Sequence, residues 1–271
     1  VPRELADVLH HFIPEAGPNP ADPARLESAS GVRPVASKPE LPIVAVPVGE
    51  RDVVRAAFTW NLAAEVAREG AQTAVVAPAS DADSALWPKQ SAGPQGAVVV
   101  LTPATNLGQL YRAAREIARE KRSAELDPGA GGLIFVRIPP LWLRNPQGAT
   151  ELLRWTLLFT SSESHDLLES YGIAKLLTRV APNGCIGVAV HGARRMGDAE
   201  AAFSRLANAA WRQLQLSLTS YGLLVDDLHV YQAIVAQRPI GMVHPQSPAA
   251  RSMGDVAQLL LEDARKRIQS Q

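Results

Sequence analysis

From Leu41 onward the chain alternates between short apolar, β-branched runs and longer stretches with helical periodicity. The runs predict strands at Ile43–Val46, Thr73–Ala77, Ala97–Leu101, Leu133–Ile138, Thr156–Thr160, Cys185–Val190, Tyr221–Val225 and Ile240–Val243. Most are apolar at consecutive positions, the pattern of strands covered on both faces and hence of a mainly parallel sheet. Helices are expected near Val53–Glu69, Leu107–Arg122, Glu163–Arg179, Asp198–Ser220, Val230–Ala236 and Ala249–Ile268. This alternation predicts an α/β protein, a three-layer, doubly wound fold.

Before Leu41 the pattern changes. Leu5, Val8, Leu9 and Phe12 form one apolar face of a short helix, suited to docking on the domain or on a partner. A stretch rich in proline, serine and alanine follows, with no core-forming pattern. The expected organisation is an N-terminal helix over 1–15, a linker over 16–41 and an α/β domain over 42–271. Adjacent His10 and His11 would point about 100° apart on a helix, which makes a shared metal site there a poor reading. The first residue is Val1 and not Met, so the sequence leaves open whether residues precede it.

Composition narrows the function classes. Lys+Arg and Asp+Glu both total 27, so no net field draws the chain to nucleic acid or to an anionic surface. The single cysteine, Cys185, excludes an intrachain disulfide and a cysteine-rich metal site, and fits a reducing cytoplasm. No apolar run is long enough to span a membrane, and no signal-peptide pattern opens the chain. Ala257, Leu260, Leu261, Ala264 and Ile268 suit a packed terminal helix better than a membrane-surface one, since Glu262 and Asp263 interrupt its basic face. Gly129-Ala130-Gly131-Gly132 precedes a strand, so it reads as a turn and not as a phosphate loop. Ser161, Ser162, Ser164, His165 and Asp166 are contiguous, whereas a triad assembles residues from separate segments. His165 is read as a first-turn residue beside a serine N-cap.

The stretch from Ile43 to Gly70 reads strand, turn, helix, glycine, the arrangement that holds phosphate in α/β proteins. A P-loop reads G-x-x-x-x-G-K-[ST]. With Gly49 as the first glycine, the second falls on Val54, the lysine on Arg55 and the hydroxyl residue on Ala56. Val54 puts a branched side chain where bare backbone must approach phosphate. Arg55 keeps a charge but changes its shape. Ala56 has no oxygen for Mg²⁺. Glu50 and Asp52 add carboxylates facing a polyanion, costing on the order of 1 to 4 kcal/mol per phosphate charge at close range.

The chain resembles the MinD/ParA-type ATPases, nearest to the branch that sets flagellar number and placement. The first helix keeps that family's Asn61-Leu62-Ala63, and Gly70 stands where the family has a glycine before its second strand. Gly222 to Asp227, Ala233 to Pro239 and Pro245 to Ala250 resemble later family tracts in the same order, so the likeness covers about Leu41 to Ile268. The nucleotide motifs do not follow. Under this resemblance the loop residues are Glu50 to Ala56, and both family lysines are replaced. Ala77 and Ala79 stand for two aspartates, Arg137 for the Walker B aspartate, and His191 for a base-contacting asparagine.

The resemblance therefore implies a catalytically inactive pseudo-ATPase, cytoplasmic, with no cofactor, that binds or scaffolds other proteins in a polar or membrane-associated assembly. A protein partner is expected, through the N-terminal helix or the domain surface, and so is a homodimer or a heterodimer with an active paralogue. Two alternatives stay open. One is a divergent ATPase that still binds ATP and Mg²⁺, with residual phosphate contact at Gly49, Arg51 and Arg55. The other is a DNA-binding partner using Arg194, Arg195, Arg205 and Arg212, which the balanced charge disfavours.

Overall fold

The computed structural model describes residues 40–49, 51–79, 97–124, 129–146, 148–193 and 195–270. The N-terminal helix with Leu5, Val8, Leu9 and Phe12, the linker up to residue 39, and Glu50 and Arg194 lie outside the described residues.

Seven strands form one sheet in the order β3-β2-β4-β1-β5-β6-β7. They are β1 (Ile43–Pro47), β2 (Gln72–Pro78), β3 (Val99–Thr102), β4 (Gly132–Ile138), β5 (Trp155–Thr160), β6 (Cys185–Ala193) and β7 (Leu218–Val225), and every pairing is parallel. The helices are α1 (Val53–Arg68), α2 (Leu107–Ser123), α3 (Ser164–Val180), α4 (Met196–Leu214), α5 (Leu228–Val235), α6 (Ile240–Val243) and α7 (Pro248–Gln269), with single 3₁₀ turns at Pro140–Arg144 and Thr150–Arg154. The result is the α/β, three-layer, parallel architecture that the apolar runs predict.

Side chains alternate across the sheet with period two, which divides the core in two. Val44, Val46, Leu133, Phe135, Leu157 and Phe159 face α1 and α7. Ala45, Ile134, Val136, Leu158, Val188 and Val190 face α2, α3 and α4. In α2 the expected stripe is in place: Leu107, Leu110, Ala114 and Ala118 are buried, with Tyr111 and Ile117 packed beside them. Helix α7 likewise buries Ala257, Leu260, Leu261 and Ala264, so it is a packed helix. No helix among the described residues is long and apolar enough to cross a membrane.

Three local expectations are corrected. Ile240–Val243 is the short helix α6, not a strand. Pro239 precedes it, and the Ile240 N–H, one of the orphan donors of its first turn, is accepted at 2.7 Å by Asn61 Oδ1. Four apolar residues carry no periodicity that separates strand from helix. The helix expected to run from Asp198 to Ser220 begins at Met196 and ends at Leu214, where Gln215 turns left-handed (φ 54°) and closes it, so that β7 begins at Leu218. The N-cap of α3 is Glu163, not a serine; the nearby serine, Ser161, instead accepts the Glu163 N–H on its Oγ at 3.1 Å.

Asn61 of α1 serves the fold. Its Nδ2 donates to Ala57 O at 2.8 Å while its Oδ1 holds α6 against α1. Replacing Asn61 with Ala orphans a buried N–H, and the expected cost is about 1–3 kcal/mol, read as a lower urea midpoint with unchanged m-value.

Candidate functional site: the N-terminus of α1

In open parallel sheets the crevice at the C-terminal ends of the strands is where ligands bind. Here that edge brings together the β1–α1 turn, the ends of β4, β5 and β6, and the first turns of α3. The turn is compact. Asp52 N donates to Gly49 O at 3.0 Å and Val53 N to Arg51 O at 3.1 Å. Asp52 is the N-cap of α1: its Oδ1 accepts the Arg55 N–H at 2.9 Å, and its backbone oxygen accepts the Ala56 N–H at 3.1 Å. The amides of Asp52, Val53, Arg55 and Ala56 are thus engaged inside the chain, that of Arg55 by a carboxylate already in place.

Arg55 lies one turn on and is buried, with 7% of its side chain exposed. Three carboxylates hold its guanidinium. Nε meets Asp52 Oδ2 at 3.2 Å, Nη2 meets Asp166 Oδ1 at 3.2 Å, and Nη1 meets Glu169 Oε2 at 2.7 Å. Asp166 and Glu169 come from the first turns of α3, and Ser161 Oγ donates to Asp166 Oδ2 at 2.5 Å. Burial pushes Asp52 upward, because desolvation outweighs its bonds to Arg55. Burial also pulls Asp166 upward, but the Ser161 hydroxyl and the Arg55 charge together hold it below its ordinary value. The cluster sets three carboxylates against one guanidinium, an acidic balance for a place that would receive a polyanion.

The other expected positions fall around this cluster. Ala56 is fully buried, and Val54 packs partly buried against the core in the same first turn. Arg51 is exposed on the turn. Ala77 is buried within β2 opposite Leu101 of β3, and Ala79 follows on the surface. Arg137, 2% exposed, pairs in register with Val46 and by the period of β4 shares the face of Leu133 and Phe135, the α1 side. His191 lies two residues before the end of β6, with its ring 5.4 Å from Phe58. Burial first, then the Arg55 charge, depress its pKa to about 4, so it stays neutral near pH 7.

His165, Asp166 and Glu169 place ligand atoms within 4.8 Å of one another, a spacing open to a metal ion. The two carboxylates already bind Arg55, so a metal there would have to compete with the guanidinium. Of the basic residues, Arg195 and Arg205 line one surface cavity with Ser162 and Asp198, and Arg212 stands apart from it. Arg195 is the exposed N-cap of α4, Arg205 donates to Ser162 O at 3.0 Å, and Arg212 is exposed near the far end of α4. Asp227 caps α5 by accepting the His229 N–H at 3.0 Å, a structural role. Asp166 and Glu169 were missed as site residues; each stands more than a hundred positions from Arg55 in sequence. The signal available was Arg55 at the start of α1 together with acidic residues opening the helix after β5.

Neither a family sequence profile nor a curated protein sequence matches the chain. Solved structures do. The MinC:MinD cell division protein complex of Aquifex aeolicus is similar at 14% identity and a TM-score of 0.58, over 82% of this chain and 96% of that one. The septum site-determining protein MinD of Pyrococcus horikoshii, complexed with Mg-ADP, gives 16% and 0.52 over 82% and 97%. A ParA family ATPase of Chlorobium tepidum gives 13% and 0.50 over 82% and 98%. The fold is that of the MinD/ParA P-loop ATPases.

Two outcomes are expected from the cluster. Arg55→Met leaves three carboxylates without their cation and should cost about 3–5 kcal/mol at pH 7. Without the guanidinium the buried Asp52 and Asp166 carboxyls are pushed above their unfolded values by desolvation, so the deficit shrinks as pH falls through them; urea melts at pH 7 and pH 5 test this. His191 has a folded pKa depressed to about 4 from 6.5, so below pH 6.5 the unfolded chain takes up a proton that the folded chain refuses. Stability should fall on acidification from pH 6.5 toward 4, and His191→Gln should flatten that slope.

Proposed function

We propose that this chain is a MinD/ParA-like protein that no longer switches on ATP and works as a constitutive binding or scaffolding protein. The observation that carries the proposal is the internal filling of the phosphate site: the Asp52 carboxylate caps α1, and Arg55 is neutralised by Asp52, Asp166 and Glu169. A triphosphate would have to displace Asp52 from the helix start, draw Arg55 out of its ion pairs and lie beside three carboxylates. Mg²⁺ would find Ala56 in place of a hydroxyl and Arg137 in place of the Walker B carboxylate. The residues in place therefore do not fit Mg·ATP, and no hydrolytic step is assigned to them.

A protein in this state has no nucleotide to time its contacts, so binding is constitutive or controlled by the partner. Its assemblies, whether a homodimer or a pairing with an active paralogue, do not depend on ATP. The sequence tracts resemble the flagellar-placement branch, and the single cysteine fits the cytoplasm, with recruitment to a pole or membrane by a partner. That a similar MinD is seen together with MinC supports a role in protein assembly.

Titration with Mg·ATP and Mg·ADP, by calorimetry and thermal shift, tests the proposal. No saturable heat and no rise in Tm are expected up to millimolar nucleotide, where a ligand at 100 times its Kd would add about 2.7 kcal/mol. Micromolar binding, or any ATP hydrolysis above background, overturns it.

A further inference from the structure

The N-terminal edge of the sheet, at the other end of the strands from the α1 turn, carries two adjoining surface cavities of about 370 and 440 Å³. Cavities of this size hold small molecules. The first lies between the entry to β1, Tyr111 of α2 and the 3₁₀ turn before β5. The second lies between the starts of β6 and β7 and the last turns of α7. Trp155, Arg267 and Ser270 border both, so the cavities meet at one ridge.

That ridge is held from beneath. Trp155 is buried, and its Nε1 donates to the Tyr221 hydroxyl at 3.2 Å, which donates in turn to Asp263 Oδ2 at 2.8 Å. Gly187 leaves room for the Tyr221 ring, which a Cβ at that position would overlap. The indole, with its one polar atom bonded, therefore offers a fixed face to Arg267, whose guanidinium carbon lies 4.5 Å from the ring centroid.

Charge decides what the ridge can hold. Each carboxylate bordering the cavities already has its cation: Glu40 has Arg115 and Arg119, Glu151 has Arg154, and Asp263 has Lys266. Arg267 has no such partner. Among the described residues its guanidinium makes no hydrogen bond and no ion pair, and it meets only the Trp155 ring. The Tyr111 hydroxyl in the first cavity is likewise without a hydrogen bond among the described residues. Ser270 caps the end of α7, its N donating to Lys266 O at 3.2 Å and its Oγ to Arg267 O at 3.0 Å, so the carbonyls nearest the guanidinium are satisfied. A planar guanidinium held flat, with its N–H donors unspent, takes two oxygens of an anion side by side.

We propose that this ridge is a binding site for a small organic oxyanion, a carboxylate or a phosphate ester. Two of its oxygens meet Arg267, and its body lies in the first cavity, where the Tyr111 hydroxyl offers a further hydrogen bond. The site stands at the opposite end of the strands from Arg55, so it does not depend on whether the α1 turn takes nucleotide.

Trp155 supplies the readout. Its indole N–H is one of five in the chain and gives its own ¹H–¹⁵N signal, assigned with Trp155→Phe. Benzoate and phenyl phosphate, titrated separately into the full chain, should shift that signal saturably at millimolar concentration or below, and the tighter of the two gives the anion class. Benzylammonium, of similar size and opposite charge, should leave it in place. Arg267→Met should weaken anion binding about tenfold or more. Arg267→Lys keeps the charge but loses the fork and should weaken it about threefold or more, which decides the matter if Arg267→Met does not fold. Arg238→Met, which removes an exposed arginine that borders neither cavity, should leave the affinity unchanged. No saturable shift with either anion, an equal shift with benzylammonium, undiminished binding in Arg267→Lys, or an equal loss in Arg238→Met overturns the proposal.

Discussion

The buried Arg55 guanidinium is the constraint around which the C-terminal edge of this sheet is arranged. A charge removed from water needs partners of opposite sign at close range, and here they come from the turn before α1 and from the start of α3. Meeting that need fixes the rest of the site. Asp52 serves as both N-cap and counter-ion, Ser161 orients Asp166, and His191 remains neutral against Phe58. A loop that in an ATPase waits for an anion is here closed by the protein's own carboxylates.

The fold and the cluster at the start of α1 draw on different residues. The sheet is held by alternating apolar side chains facing α1 and α7 on one side and α2 to α4 on the other. None of that packing needs a phosphate or a metal. Asn61 likewise serves the fold, where it accepts the Ile240 N–H. The consequence is a three-layer body whose C-terminal edge, at the start of α1, carries Asp52, Arg55, Asp166 and Glu169.

The strands and long helices were legible because burial on both faces writes continuous apolar runs into the chain, and no other constraint competes with it. The failures have physical causes. In Ile240–Val243 four apolar residues fit either a strand or a helical turn, and a bond from Asn61, far away in sequence, decides between them. The end of α4 depends on Gln215 adopting a left-handed conformation that its residue type does not announce. At the site, the replaced motif positions were visible one by one, from Val54 and Ala56 to Arg137. The meaning of Arg55 was not. Read alone it was a candidate phosphate clamp; in the fold Asp166 and Glu169 reach it and make it an internal counter-ion. Ion pairs across the fold leave no periodicity in a sequence.

The central claim is that the helix start at Asp52 and the Arg55 guanidinium are already satisfied within the chain. The most direct measurement is a high-resolution crystal structure of the protein soaked with millimolar Mg²⁺ and a non-hydrolysable ATP analogue. The account predicts Arg55 still bridged to Asp52, Asp166 and Glu169, with no nucleotide density at the start of α1. Ordered phosphates against the amides of residues 53–56, with Arg55 turned from the carboxylates to meet them, would contradict it.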